Sequence, residues 1–212
     1  MSHSTPATPA DSALTEGLLR AFALLAYAFG VANLFHAWWI DRSRWTLLLF
    51  LVFEAYSLLL VLIARRALRR DASPAAMALT IYAALYFVLL DPHDNRRLIA
   101  EGFGVALQAL GACCQFSAKF TLGRAFGLLP AQRSIVVAGP YRLVRHPMYL
   151  GYLIADVGFL CVNFSWRNAL ILGVLYAVQV LRIRREEAVL AGSEAYRDYQ
   201  QRVRWRLLPF VY

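Results

Sequence analysis

The sequence predicts an all-α, polytopic integral membrane protein of about five spans, the last of them in a C-terminal helical hairpin. Three observations carry this. First, 60% of the 212 residues are hydrophobic and the mean hydropathy is +0.50, whereas roughly 45–50% apolar is usual for a soluble globule. Second, the apolar residues fall in runs approaching the ~20 helical residues that cross a ~30 Å hydrocarbon core. Third, the net charge of +9 comes from Arg gathered in short segments between those runs. That placement suits anionic lipid headgroups rather than nucleic acid.

The elements follow in order. Residues 1–16, within MSHSTPATPADSALTEG, lack a basic n-region and read as a loosely ordered tail rather than a signal peptide. Residues 17–117 hold four apolar segments, at 18–40, 45–64, 75–90 and 98–117. Each must be helical, because lipid offers no partner to a free backbone amide. Trp38, Trp39 and Trp45 flank the first turn and suit an interfacial aromatic belt. Residues 118–212 form a polar region with two further apolar runs, which the motifs and resemblance given below make the expected cofactor-binding and catalytic region. Gly123, Gly127, Pro130, Gly139, Pro140 and Pro147 keep its first part from being one long helix. Runs 148–164 and 168–181 then make a hairpin about Ser165-Trp166-Arg167, the second run being short for a full span. The last stretch starts helical and stops at Leu-Leu-Pro-Phe.

Basic residues set the orientation. Arg65, Arg66, Arg69 and Arg70 follow the second segment, and Lys119, Arg124, Arg133, Arg142 and Arg145 follow the fourth. Arg182, Arg184 and Arg185 open the tail. The loops at 41–44 and 91–97 carry less net positive charge. Both termini and the polar region are therefore expected in the cytoplasm.

Cys113, Cys114 and Cys161 lie in apolar runs without metal-ligand spacing and read as small buried hydrophobes; no metal is expected. Two ionisable groups fall inside the early spans. His36, beside Trp38, can reach the interface. Glu54 is deeper and needs a partner, with Tyr56 and Tyr82 as candidates.

The chemistry concentrates after residue 118. In GPYRLVRHPMYLG, residues 139–151, Gly-Pro makes a tight turn. Arg145 and His146 then stand just before a helix that Pro147 can start, since a missing N–H costs nothing there. The helix start offers amides and a partial positive charge to an anion. Gly151 permits close approach of a ligand or a neighbouring helix. One hairpin later comes Arg182-Ile-Arg-Arg-Glu-Glu187, with Arg182 and Glu186 on one helical face. A hairpin returns that cluster to the membrane face of the Pro147 turn. Tyr149 and Tyr152 also suit an interfacial belt, and Tyr196 and Tyr199 suit packing of the tail.

These residues together resemble a known family. Gly139–Gly151, then Arg182-x-x-x-Glu186-Glu187 and Tyr196-x-x-Tyr199-x-x-x-Val203, with Leu122-Gly-Arg-Ala-Phe-Gly and Arg133-Ser-Ile-Val136 upstream, are similar to the isoprenylcysteine carboxyl methyltransferases. The wider group includes phospholipid methyltransferases. The resemblance covers 122–210 and implies S-adenosyl-L-methionine as cofactor. It implies a cofactor site of Arg133, Ser134, Ile135, Val136, Tyr141, His146, Pro147, Met148, Tyr149 and Glu187. It further implies that Arg182 meets the methyl acceptor, with Glu186 and Arg145 beside it. The acceptor is expected to be lipophilic, the carboxylate of a prenylcysteine-like compound being the family's own. Gly192-Ser-Glu departs from the family's usual ending.

The residue chemistry is compatible. The cofactor's carboxylate suits His146 and the helix-start amides. Its ammonium or ribose hydroxyls suit Glu186 or Glu187, and its adenine suits a slot near Tyr141, Tyr149 and Tyr152. Arg182 suits a two-pronged grip on an acceptor carboxylate. Two alternatives stay open at this level: an NADPH-dependent membrane reductase of the sterol type, and a non-catalytic lipid-binding protein.

Overall fold

The computed structural model describes residues 9–63, 74–93, 95–122 and 137–212. Seven α-helices lie among them: α1 (Pro9–Ile40), α2 (Trp45–Ile63), α3 (Pro74–Leu85), α4 (Glu101–Leu122), α5 (Pro147–Val162), α6 (Trp166–Leu190) and α7 (Glu194–Arg202). A 3-10 turn, Tyr86–Leu89, continues α3, and another, Gly139–Arg142, leads into α5. The described residues form no sheet. Their β-pairing is a single bridge between Arg96 and Phe164, with Arg96 N to Phe164 O at 2.8 Å and Phe164 N to Arg96 O at 3.1 Å.

The all-helical expectation holds for these residues. Ala23–Ile40 and Trp166–Leu190 are long and apolar enough to cross a membrane, and Trp45–Tyr56, Ala78–Leu89 and Pro147–Val162 are shorter apolar helices. The hairpin differs from its expected shape at both ends of its second arm: Trp166 and Arg167, expected in the break, already belong to α6. α6 does not stop with the apolar run at residue 181 but continues through the charged residues to Leu190, giving 25 residues and a length of about 38 Å. α5 has 16 residues, about 24 Å, so roughly the last two turns of α6 are spare and carry Arg182, Glu186 and Glu187. Ser165 starts α6 as its N-cap, its hydroxyl accepting from Asn168 N at 3.1 Å.

One core layer joins the first helices to the hairpin. Leu34 of α1, Leu47 and Phe50 of α2, Phe87 of the 3-10 turn, Phe159 of α5 and Leu175 of α6 are buried together. The Phe50 and Phe159 rings lie 4.6 Å apart, a spacing at which aromatic pairs add to plain burial.

α4 meets α5 differently, backbone against backbone. A Cβ added to Gly111 would sit 2.5 Å from the Gly151 carbonyl oxygen and 2.7 Å from Ala155 N. One added to Gly158 would sit 2.8 Å from the Gly104 carbonyl oxygen. Small residues let two helices approach this closely, and in lipid such packing is a main source of helix association. Gly151 therefore serves a neighbouring helix. The same geometry corrects the expectation that every cysteine is buried: Cys113 is exposed, while Cys114 and Cys161 are half-buried. In a membrane helix the outward face meets lipid, so an apolar residue there need not hide in protein.

The end of the bundle where α1 turns into α2 and α5 into α6 is tied by neutral amides. Asn163, Asn168, Thr46 and Gln108 are fully buried. Asn163 Nδ2 donates to Thr46 Oγ1, and Asn168 Nδ2 donates to Asp91 O, Asn95 Oδ1 and Asn163 O. Thr46 donates through both its amide and its hydroxyl to Glu101 Oε1, each at 2.7 Å. The exposed His36 stacks edge-on with His93, ring centres 6.1 Å apart, in keeping with a place at the interface.

Candidate active site

The other end of α5 is where the sequence motifs converge. Gly139 opens the preceding turn with φ of +52°, a backbone shape that side chains other than glycine's resist. A Cβ there would also meet Thr121 Oγ1 at 2.8 Å. α5 begins at Pro147 as expected, with His146 just outside it. The first intrahelical bond is Leu150 N to His146 O, at 3.2 Å. The amides of Met148 and Tyr149 precede it and point out of the helix start.

Arg145 and His146 are both buried and both turn to α6. Arg145 Nε donates to Glu187 Oε1 at 2.7 Å, and His146 Nε2 lies 3.2 Å from the same oxygen. Arg206, from the chain's last extended stretch, donates through Nε to Glu187 Oε2 at 2.7 Å. Glu187, 4% exposed, is therefore engaged on both oxygens. The tail is stitched to the same turn by main-chain bonds. Arg145 N donates to Trp205 O and His146 N to Arg206 O, and Arg145 Nη1 donates to the carbonyls of Val203 and Arg204. The carboxylate raises the Arg206 guanidinium above its usual value, so that cation is fixed in its charged form.

Glu186 is in a different situation. Its side chain is 33% exposed. Tyr149 donates its hydroxyl to Glu186 Oε1, while Oε2 stays 3.9 Å from His146 Nδ1, beyond hydrogen-bond length. Arg182 stands over the Tyr149 ring at 5.8 Å and donates Nη1 to Gln179 Oε1 at 3.0 Å. Arg182 and Glu186 thus share Tyr149 between them, one on its face and one on its hydroxyl.

Tyr141 is buried with Ala118, Tyr196, Tyr199 and Val203, and Met148 packs against that cluster. Tyr199 donates its hydroxyl to Tyr141 O at 2.7 Å. Burial pushes the phenols of Tyr141, Tyr196 and Tyr199 up, the last to about 12, so all three remain neutral. Tyr196 and Tyr199 accordingly pack α7 onto the turn. Pro147 is buried and accepts from Cys114 Sγ of α4 at 3.3 Å.

The structure thus brings together Arg145, His146, Pro147, Tyr149, Arg182, Glu186 and Glu187, with Tyr141 and Met148 behind them. Arg133, Ser134, Ile135 and Val136 lie outside the described residues. Sequence reasoning missed Arg206 and Gln179. Arg206 sits in a run of tail arginines with nothing in its spacing to mark it. Gln179 could have been found as a polar residue one turn before Arg182 on an apolar helix. For Glu54 the expected phenols are engaged elsewhere: Tyr82 donates to Ile171 O, and Tyr56 packs against Phe116 and under Lys119 Nζ.

Described residues that are all-helical, with membrane-length apolar helices and an Arg–His–Glu cluster binding the two arms of a hairpin, define a membrane protein with an enzyme-like polar site. Comparison gives a family resemblance: residues 104–192 match the isoprenylcysteine carboxyl methyltransferase (ICMT) family. Protein-S-isoprenylcysteine O-methyltransferase A of Arabidopsis thaliana is 33% identical over 88 residues, 39% of this chain and 45% of the relative. The Mus musculus protein-S-isoprenylcysteine O-methyltransferase is 32% identical over 123 residues, 51% of this chain and 41% of the relative. The B form of Arabidopsis thaliana is 29% identical over 143 residues, 60% and 69% respectively. The chain thus spans less than half the length of the first two relatives. The comparisons favour neither a sterol-type reductase nor a non-catalytic lipid binder.

Proposed function

We propose that the protein is a multi-pass membrane methyltransferase that transfers a methyl group from S-adenosyl-L-methionine to the carboxylate of a lipophilic, prenylcysteine-like acceptor, with its site and both termini on the cytoplasmic side. The observation that carries this reading is the pairing of Arg182 and Glu186 across Tyr149, beside the start of α5. A membrane-embedded cation next to a half-open carboxylate suits one anionic and one cationic ligand group held side by side.

The residues fit the cofactor. Glu186 has an oxygen 3.9 Å from His146 Nδ1, beyond hydrogen-bond reach of that ring, which suits an ammonium or a hydroxyl. The amides of Met148 and Tyr149 suit a carboxylate. Bound there, S-adenosylmethionine supplies an electrophilic methyl group. Arg182 holds the acceptor carboxylate and orients one oxygen for in-line attack, so its task is positioning rather than proton transfer. The lipid surroundings keep that oxygen poorly hydrated, which favours a reaction that neutralises charge. Glu187 acts through Arg145, His146 and Arg206: with both oxygens engaged, it sets the turn and the His146 ring instead of meeting the cofactor itself. Arg133–Val136 belong to the same proposal through the family resemblance.

The test is transfer of labelled methyl from S-adenosylmethionine to a prenylcysteine analogue by the full chain in detergent. Arg182→Ala should cut turnover by roughly tenfold to a hundredfold, the worth of a lost charge-assisted contact, and still bind S-adenosylhomocysteine. Glu186→Gln should weaken that binding. Equal labelling by wild type and both variants, or NADPH binding in place of S-adenosylhomocysteine, would overturn the proposal.

A further inference from the structure

A second polar site lies at the opposite end of the bundle, on residues the methyl-transfer reading does not use. A cavity of about 210 Å³ opens there, lined by Asp41, Arg44, His93, Asn95, Arg97 and Val162. Its charges are unevenly answered. Arg97 has two carboxylates, Asp41 Oδ2 at 3.3 Å and Glu101 Oε2 at 3.9 Å. Arg44 is half-buried, and its side chain donates to a neutral amide, Nη2 to Asn163 Oδ1 at 2.6 Å. A guanidinium has five N–H donors, so this one has capacity well beyond that single bond. Burial pushes the Arg44 guanidinium down from its usual value while Asp41 acts the other way; an added anion would stabilise it further.

The level of the cavity says what anion is at hand. Trp39, Trp45 and Trp166 are 55%, 54% and 83% exposed around this end, and Arg42 lies 4.0 Å over the Trp39 ring. Exposed tryptophans at a helix end mark headgroup depth. The cavity is too small and too polar for acyl chains. A lone anion, though favourable to Arg44, is less well matched than a zwitterion, because Asp41 and Glu101 would repel a third negative charge. Asp41 instead suits a donor: Ser43 holds its Oδ1, through N at 3.0 Å and Oγ at 2.6 Å, and those bonds keep its carboxyl below the usual range.

We infer that this cavity binds a zwitterionic phosphoethanolamine headgroup, its phosphate on Arg44 and its ammonium at Asp41, drawn from a bilayer lipid. The shared chemistry is a phosphate carrying a primary ammonium, which free O-phosphoethanolamine also offers, so the test separates the two sources.

The full chain in detergent is offered phosphatidylethanolamine, phosphatidylcholine and phosphatidylglycerol, and lipid retention is read by native mass spectrometry. Phosphatidylethanolamine should be retained one per chain, roughly tenfold over phosphatidylcholine, whose quaternary ammonium has no N–H to donate. Arg44→Gln should lower that retention by a similar factor. Asp41→Asn, on the exposed rim, should bring the ethanolamine and choline lipids to parity without disturbing the buried amides, so it serves even if Arg44→Gln fails to fold. Arg182→Ala should change nothing. Millimolar O-phosphoethanolamine displacing the lipid supports the headgroup assignment. Inorganic phosphate displacing it equally well would overturn it, as would equal retention of the two lipids by wild type, or no effect of either substitution.

Discussion

The two faces of α5 are built on opposite principles. Toward α4 it presents Gly151, Ala155 and Gly158, and the backbones nearly touch: there is no room for a Cβ at Gly111, Gly151 or Gly158. Toward α6 it presents Tyr149, Tyr152 and Asp156, and side chains fill the gap. Tyr149 meets Glu186 and Arg182, while Asp156 accepts from Tyr176 of α6 and from Tyr86 of the 3-10 turn. The first face has no freedom and no chemistry. The second carries polar groups at Tyr149, Tyr152 and Asp156 before it closes on apolar Phe159, and Glu186 and Asp156 are held there by hydroxyls that can change partners. A rigid wall on one side lets the other side be a site: positioning within a fraction of an ångström needs a support that does not yield.

Substitutions can break this contrast at either face. The largest effect is expected at the glycine wall. Gly111→Val or Gly151→Val would drive a side chain into backbone, which cannot step aside, and no folded protein should survive extraction in detergent; a sharp melting transition near that of wild type would remove the claim that the wall is rigid. Next is Glu187→Ala. It strips a carboxylate that is 5% exposed from Arg145, itself 6% exposed, and leaves a buried charge without its counterion. A loss of about 3–5 kcal/mol follows from the usual cost of breaking such a pair, read as a fall in melting temperature. Glu187→Gln, which keeps two hydrogen-bonding positions, should lose less; equal losses would mean charge is not what holds the tail to the turn.

Asp156 tests the polar face at membrane depth. Asp156→Leu orphans two phenol hydroxyls at a cost of about 1–3 kcal/mol. Asp156→Asn, which can still accept, should stay within about 1 kcal/mol of wild type. Chemical denaturation in mixed micelles separates these outcomes, and a severe defect in Asp156→Asn would show that the carboxylate itself is required. The smallest effect, of opposite sign, is expected at Gly173. It lies on α6 with nothing within 4 Å of its would-be Cβ, so Gly173→Ala should stabilise by about 0.5–1 kcal/mol through helix propensity. Destabilisation there would mean α6 has a close neighbour at that point.

Much of this was legible in the chain. The helix start at Pro147, the break around residues 41–44, the presence of a break near Ser165, and the meeting of the RHP turn with the Arg182–Glu187 cluster all follow from proline chemistry, apolar run length and the return of a hairpin. Other features were not. Gly151 reads as allowing close approach of either a ligand or a helix, and nothing marks Gly104, Gly111 or Gly158 as its counterparts until the facing backbone is known. Cys113, taken as buried, faces outward, because apolar character does not distinguish lipid from protein neighbours.

By itself, then, the sequence determined that the described residues are helical, that a helix begins at Pro147, and which polar residues return to one end of the hairpin. Those are local or nearly local properties, fixed by periodicity, backbone restriction and the reach of a short turn. The first helix, by contrast, starts at Pro9, inside what reads as a loose tail. Only the tertiary structure decided how the two adjacent glutamates differ. Glu187 is enclosed by Arg145, His146 and an arginine nineteen residues further on, while Glu186 shares Tyr149 with Arg182 and keeps part of its surface open. Neighbours in sequence point about 100° apart on a helix, and what each then meets depends on segments the local pattern does not encode.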